Sequence, residues 1–235
     1  MPNATYAIEW DKLGEKYFET GDDHGVLYLL SNEGTYSNGV AWNGLTAVTE
    51  SPEGGDATDI WADDIKYGTL RAAEKFGGTI EAYTYPDEYA QCDGSAEIAP
   101  GVYMGQQARK AFGFSYRSKV GNDVNPELGY KLHLWYGCTS SPSERSYQTQ
   151  NDSPDAISMS WEIDTTPVSV GTIDGVEYKP TSLITIDQTK LDAAGKTRLA
   201  ALEQILYGTP ASGNNEAIAP RLPLPSEVYT LMKTP

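Results

Sequence analysis

Apolar and polar residues alternate in short stretches along most of this chain, and that pattern predicts strands. In Ile157-Ser158-Met159-Ser160-Trp161-Glu162-Ile163 every second residue is apolar, as a half-buried strand requires. Residues 79–85 set Ile80, Ala82 and Thr84 against Thr79, Glu81, Tyr83 and Tyr85. Further strands are predicted at 4–10, 25–30, 37–42, 45–50, 112–119, 130–136, 168–173 and 182–186. Asn43-Gly44, between two of them, offers positive φ at both turn positions and predicts a type I′ hairpin. The period changes at 191–207, where Leu199, Leu202, Ile205 and Leu206 recur at helical spacing before Gly208 as a stop. Gly195 there is expected to delay the start to about Lys196. A short helix within 86–94 and another running from Ser226 as N-cap to Met232 are also expected. Residues 219–225 hold Pro220, Pro223 and Pro225 and cannot form a regular central strand, because proline lacks an N–H. They read as an arm or as a surface tail.

The fold class is therefore mainly β (α+β), and composition agrees. Sixteen Tyr and five Trp against four Phe and four Met favour strands over a helix bundle, while 23 Gly and 14 Pro supply turns. The 235 residues suffice for one large β domain, with no linker or repeat dividing them. Thirty-three acids against 17 bases give a net charge of -16, which repels nucleic-acid backbone and anionic lipid. Two cysteines, Cys92 and Cys138, are too few for a disulfide-stapled scaffold and read as free thiols from a reducing cytoplasm. Apolar runs such as Val26-Leu27-Tyr28-Leu29-Leu30 are too short to span a bilayer, and the N-terminus does not read as a signal peptide.

Local sequence points to no catalytic set and no cofactor. His24 and His133 read as surface or half-buried polar residues, and Ser115 lacks the flanking second glycine of a nucleophile elbow. Gly195-Lys196-Thr197 lacks the glycine five positions earlier that a phosphate loop needs. Asp93-Gly94-Ser95 and Asn122-Asp123-Val124-Asn125 do not match a calcium loop, and no Cys/His spacing suggests zinc. A carbohydrate-binding β-sandwich is the best alternative class, with Glu81, Glu97 and Glu162 as conceivable groove carboxylates. One segment stands out. Residues 50–64 carry Glu50, Glu53, Asp56, Asp59, Asp63 and Asp64 with no base, and with Pro52, Gly54 and Gly55 they read as a long exposed loop. Ile60 and Trp61 within it are costly to leave in water, so the loop is either merely solvated or reaches a neighbouring subunit.

The stretch Gly39-Val40-Ala41-Trp42-Asn43-Gly44 through Pro52-Glu53-Gly54, and Gly77-Gly78-Thr79-Ile80-Glu81-Ala82-Tyr83 through Cys92-Asp93-Gly94, resemble the major tail proteins of long-tailed, non-contractile bacteriophages. The resemblance continues through Gly101-Val102-Tyr103-Met104-Gly105, Phe112-Gly113-Phe114-Ser115-Tyr116-Arg117 and Arg221-Leu222-Pro223-Leu224-Pro225, and so covers most of the chain. It implies a tail-tube-type β-sandwich or barrel with one flanking helix near 191–207. It also implies a non-enzymatic virion protein, made in the host cytoplasm, whose copies form stacked, commonly hexameric rings. Tail-tip initiator, tape-measure and terminator proteins are the implied partners, and DNA would pass the lumen without tight binding. The acidic loop would pack between rings with Trp61 as its anchor. A tail terminator or completion protein of the same fold is the nearest alternative.

Overall fold

The computed structural model describes residues 8–149, 152, 155–213 and 216–233. In chain order the strands are β1 (Tyr17–Leu30), β2 (Tyr36–Ala41), β3 (Leu45–Glu50), β4 (Glu53–Gly54), β5 (Ala57–Ala62), β6 (Ile65–Arg71), β7 (Glu74–Lys75) and β8 (Gly77–Ala82). They continue as β9 (Ala96–Ala99), β10 (Val102–Met104), β11 (Phe112–Asn122), β12 (Gly129–Ser140), β13 (Met159–Thr165), β14 (Thr172–Ile173), β15 (Val176–Glu177) and β16 (Leu183–Asp187). Helix α1 spans Ala193–Tyr207 and α2 Pro225–Met232, and a 3-10 turn occupies Asp87–Gln91. The chain is thus mainly β with helices added.

The body is one antiparallel sheet in the order β2-β1-β11-β12-β13-β8-β3, forked at β12. The first part of β12, Lys131 to Trp135, pairs with β16, and its last part, Cys138 to Ser140, pairs with β13. Gly137 sits at the fork with φ of 61°, and a Cβ there would lie 2.0 Å from the Thr166 carbonyl oxygen. Only glycine fits. The fork folds β13, β8 and β3 over β1, β11 and β12. Between these layers lies an aromatic core of Trp42, Tyr89, Phe112, Phe114, Trp135 and Trp161. Its rings meet mostly edge to face, as Trp42 does on Trp161 at 5.5 Å. On the other face of the sheet, Leu199, Leu202 and Leu206 of α1 pack on Tyr28, Leu132, Leu134 and Tyr136. Val26-Leu27-Tyr28 is a continuous apolar run because its alternate residues feed different cores: Leu27 the aromatic one, Val26 and Tyr28 the helical one. Cys92 and Cys138 are buried thiols, both pushed up by burial, Cys92 to about 12.

Several expectations need correction. Strands β2 and β3 form where predicted but do not pair with each other: β2 joins β1 and β3 joins β8. The short turn Ser31–Thr35, closed by a Ser31 N–H bond to the Thr35 carbonyl, gives β2 to β1. Leu222 and Pro220 then occupy its other edge, bonded to Tyr36 and Gly39. Only Gly44 of the Asn43-Gly44 pair takes positive φ, so no type I′ turn forms there. The Pro-rich segment is accordingly neither a free arm nor a surface tail. Leu222 is buried, and the Pro223 carbonyl accepts a bond from the Tyr136 hydroxyl at 2.9 Å. Helix α1 starts at Ala193, ahead of the expected delay, because Asp192 caps it by accepting from the Gly195 N–H at 2.6 Å. Helix α2 starts at Pro225, not after Ser226. The strand expected at 4–10 lies mostly outside the described residues, and Ile8 to Trp10 form none.

Candidate functional site: a projecting hairpin and a polar cavity

The acidic segment is not one loop. Glu50 ends β3 and turns inward, while Glu53 begins a hairpin that runs to Lys75. Its base is the β4–β7 pair and its length is β5–β6, which among the described residues pair only with each other. The tip is Asp63-Asp64 with φ of 50° and 61°, the two left-handed residues of a two-residue I′ turn. Asp tolerates that region through its short polar side chain, and the acids expected to mark a loop mark a tight turn instead.

Strand alternation divides this arm into two unlike faces. Asp59, Trp61, Lys66 and Thr69 share one, with Asp59 bonded to Thr69 at 2.8 Å and ion-paired to Lys66 at 2.7 Å. The Lys66 ammonium, then Thr69, hold the exposed Asp59 carboxyl below its ordinary value. The opposite face carries Ile60, Ile65 and Leu70, and all three are exposed. Trp61, the expected anchor, is 66% exposed and lies on the polar face. Asp56 stands at the root, its carbonyl accepting from Ala72 N–H. A second projecting hairpin, β9–β10, exposes Ile98, Val102, Tyr103 and Met104.

Glu50 belongs to a different site. At the open end of the aromatic core a cavity of about 290 Å³ is lined by Glu19, Asp22, Glu50, Tyr116, Ser118 and His133. Tyr116 and His133 are cross-strand partners on β11 and β12, and their rings stack at 4.5 Å with an interplanar angle of 6°. The His133 ring bonds through Nδ1 to Glu50 Oε1 at 3.0 Å and through Nε2 to Ser118 Oγ at 3.0 Å. The Tyr116 hydroxyl donates to the same Glu50 oxygen at 2.9 Å. The hydrogen bond from His133, and then that from Tyr116, outweigh burial and hold the Glu50 carboxyl below its ordinary value. Asp22 shifts the other way, raised by burial although Val48 N–H donates to it. Ser118 Oγ also lies 3.1 Å from Glu19 Oε2, so its single proton has two acceptors within reach, that oxygen and His133 Nε2, and Lys131, directly across from Ser118, ion-pairs with Glu19.

The sequence groups Glu50 with the acidic loop and singles out neither Ser118 nor Tyr116, whereas the structure sets Glu50 at the end of β3 in the same cavity as both. The one available signal was the alternation at 131–135, which puts His133 on the side of Trp135, opposite Leu132 and Leu134. The other histidine, His24, contacts Asp23 and Arg117 at the surface. Ser115 is buried against the Tyr28 hydroxyl, and Gly195 to Thr197 form the first turns of α1. Glu81 and Glu162 lie on adjacent strands, but Glu97 is in the β9–β10 hairpin, bonded to Gly101 N–H. Compared with known proteins, the sequence matches no family model, and no curated protein is significantly similar to it.

Proposed function

We propose that this protein is a structural subunit that assembles with copies of itself into stacked rings, forming a tube of the kind that serves as a bacteriophage tail conduit. The observation that carries the reading is the arm. A two-stranded hairpin is marginal alone in water, and this one leaves Ile60, Ile65 and Leu70 on one uncovered face. A face patterned for burial and left open within its own chain fits a second copy.

The sheet edges support the same reading. Residues Tyr17 to Thr20 of β1 pair only with β11, and β16 pairs only with β12. The segment β1-β11-β12-β16 therefore ends in an unpaired strand on either side among the described residues. Closing a ring would satisfy both edges, which otherwise invite open-ended aggregation. One face of this segment is covered by α1. The other presents Glu19, Ser118, Lys131, Thr185 and Asp187, a polar surface suited to a water-filled lumen. In a chain of net charge -16, such a wall would let DNA pass without adhering. The resemblance of residues 39–54 and 77–94 to phage major tail proteins adds the specific assembly.

Negative-stain electron microscopy of the concentrated protein tests the proposal. Annuli or hollow tubes of uniform bore are expected. Monomers that persist at high concentration, together with binding to a glycan array, would replace it with a sugar-binding sandwich.

A further inference from the structure

The cavity at the open end of the core holds an arrangement that assembly does not require. Ser118 Oγ, His133 Nε2, His133 Nδ1 and Glu50 Oε1 form a continuous chain with two links of 3.0 Å. The order matters. Hydroxyl on one ring nitrogen and carboxylate on the other is the connectivity by which an imidazole takes a proton from serine while the acid fixes its tautomer. We propose that Ser118 is an acyl-accepting nucleophile, with His133 as its general base and Glu50 as the positioning residue for the imidazole.

The surroundings suit that role. Glu50 is held as a carboxylate by Tyr116 and His133, so the Nδ1 proton has a fixed acceptor. The Tyr116 ring, stacked on His133, and Thr185, 3.5 Å from Nδ1, limit rotation of the imidazole. His133 and Ser118 are nearly buried yet both line the open 290 Å³ space, so a small molecule can reach them from solvent. Lys131, directly across from Ser118, ion-pairs with Glu19, the carboxylate that competes with Nε2 for the Ser118 proton. Gly21, outside the β1–β11 ladder where the register slips, lines the same space next to Asp22, the partner of Ser118. Glu19 and Asp22 on the rim disfavour anionic substrates. The substrate class is therefore a small neutral or cationic ester.

The step balances without a cofactor. Ser118 Oγ bonds to the acyl carbon, its proton passes to His133 Nε2, and the ester C–O bond breaks as the leaving alcohol takes that proton. Water then attacks the acyl-serine, giving its proton to Nε2, and the carboxylic acid leaves as the proton returns to Ser118. The chemistry is independent of the assembly proposal and can be read on monomers.

The test is reaction of the full chain with a small uncharged fluorophosphonate, followed by intact mass and peptide mapping, beside p-nitrophenyl acetate turnover. The wild type should gain one phosphonyl group on Ser118, with loss of fluoride. Ser118→Ala should gain none, and His133→Gln should label about 10³-fold more slowly. Glu50→Gln should slow labelling while the thermal transition persists. Each variant is checked for a cooperative melt. Absence of labelling in the folded wild type, or labelling that survives in Ser118→Ala, would overturn the assignment.

Discussion

In β11, in β12 and in residues 25–28 of β1, side chains on both faces of the strand are buried, whereas in β5 and β6 nearly every side chain is exposed. The long strands are sandwiched between the aromatic core and α1. Among the described residues the arm strands pair only with each other, although they too carry apolar residues on alternate positions. The difference teaches what each segment is patterned for. Apolar residues at the centre of the body are buried within the chain, while Ile60, Ile65 and Leu70 on one face of the arm stay exposed among the described residues, as the proposed contact with a second copy requires. Stability and assembly should therefore separate by mutation.

The largest effect on stability belongs to the body. Phe112→Ala, at a fully buried position packed against Tyr89, should cost about 3–5 kcal/mol, read as a shifted urea midpoint. Gly137→Ala should be comparably severe, because its Cβ would strike the Thr166 carbonyl at 2.0 Å and left-handed φ would be imposed on alanine. If either variant melts like the wild type, the forked double-cored sheet is wrong.

Glu50→Gln comes next. It replaces a carboxylate that accepts from His133 and Tyr116, a loss of about 1.5–3 kcal/mol near neutral pH. The sign follows from the lowered carboxyl. Its stabilisation is complete above the ordinary value of 4.5 and is lost as pH falls through the folded-state value below it. The stability difference between wild type and Glu50→Gln should therefore shrink as acid is added. Asp22→Asn should act oppositely and more weakly, since burial raises that carboxyl and charging it costs stability at neutral pH.

The smallest effect on the monomer belongs to the arm. Trp61→Ala, on the polar face, should stay within about 0.5 kcal/mol of the wild type and reduce tube growth less than a change at Ile65. Equal assembly defects at Trp61 and Ile65 would show that the two faces of the arm are not distinct.

Body strands were readable in the sequence because alternation survives wherever a strand faces a core; Met159–Thr165 and Gly77–Ala82 are examples. Pairing was not readable. Asn43-Gly44 carries a strong local hairpin signal, but β2 was already held between β1 and the 220–222 segment, so tertiary contacts overrode it. The arm was hidden because its Asp-rich composition reads as loop, and period-two patterning is weak across a bulge such as that between Ile60 and Trp61. The cavity was hidden for a different reason. Ser118, His133 and Glu50 come from three strands, and only the register of β11 on β12 and the fold-back of β3 bring them together.

The most direct test of the central claim uses one variant in which Ile60, Ile65 and Leu70 are all replaced by serine. Its thermal melt and its tube formation by electron microscopy are compared with the wild type at matched concentration. A melt within a few degrees of the wild type with no rings or tubes, beside a wild type that forms them, is the expected result. Tubes of normal bore from the triple variant would contradict it.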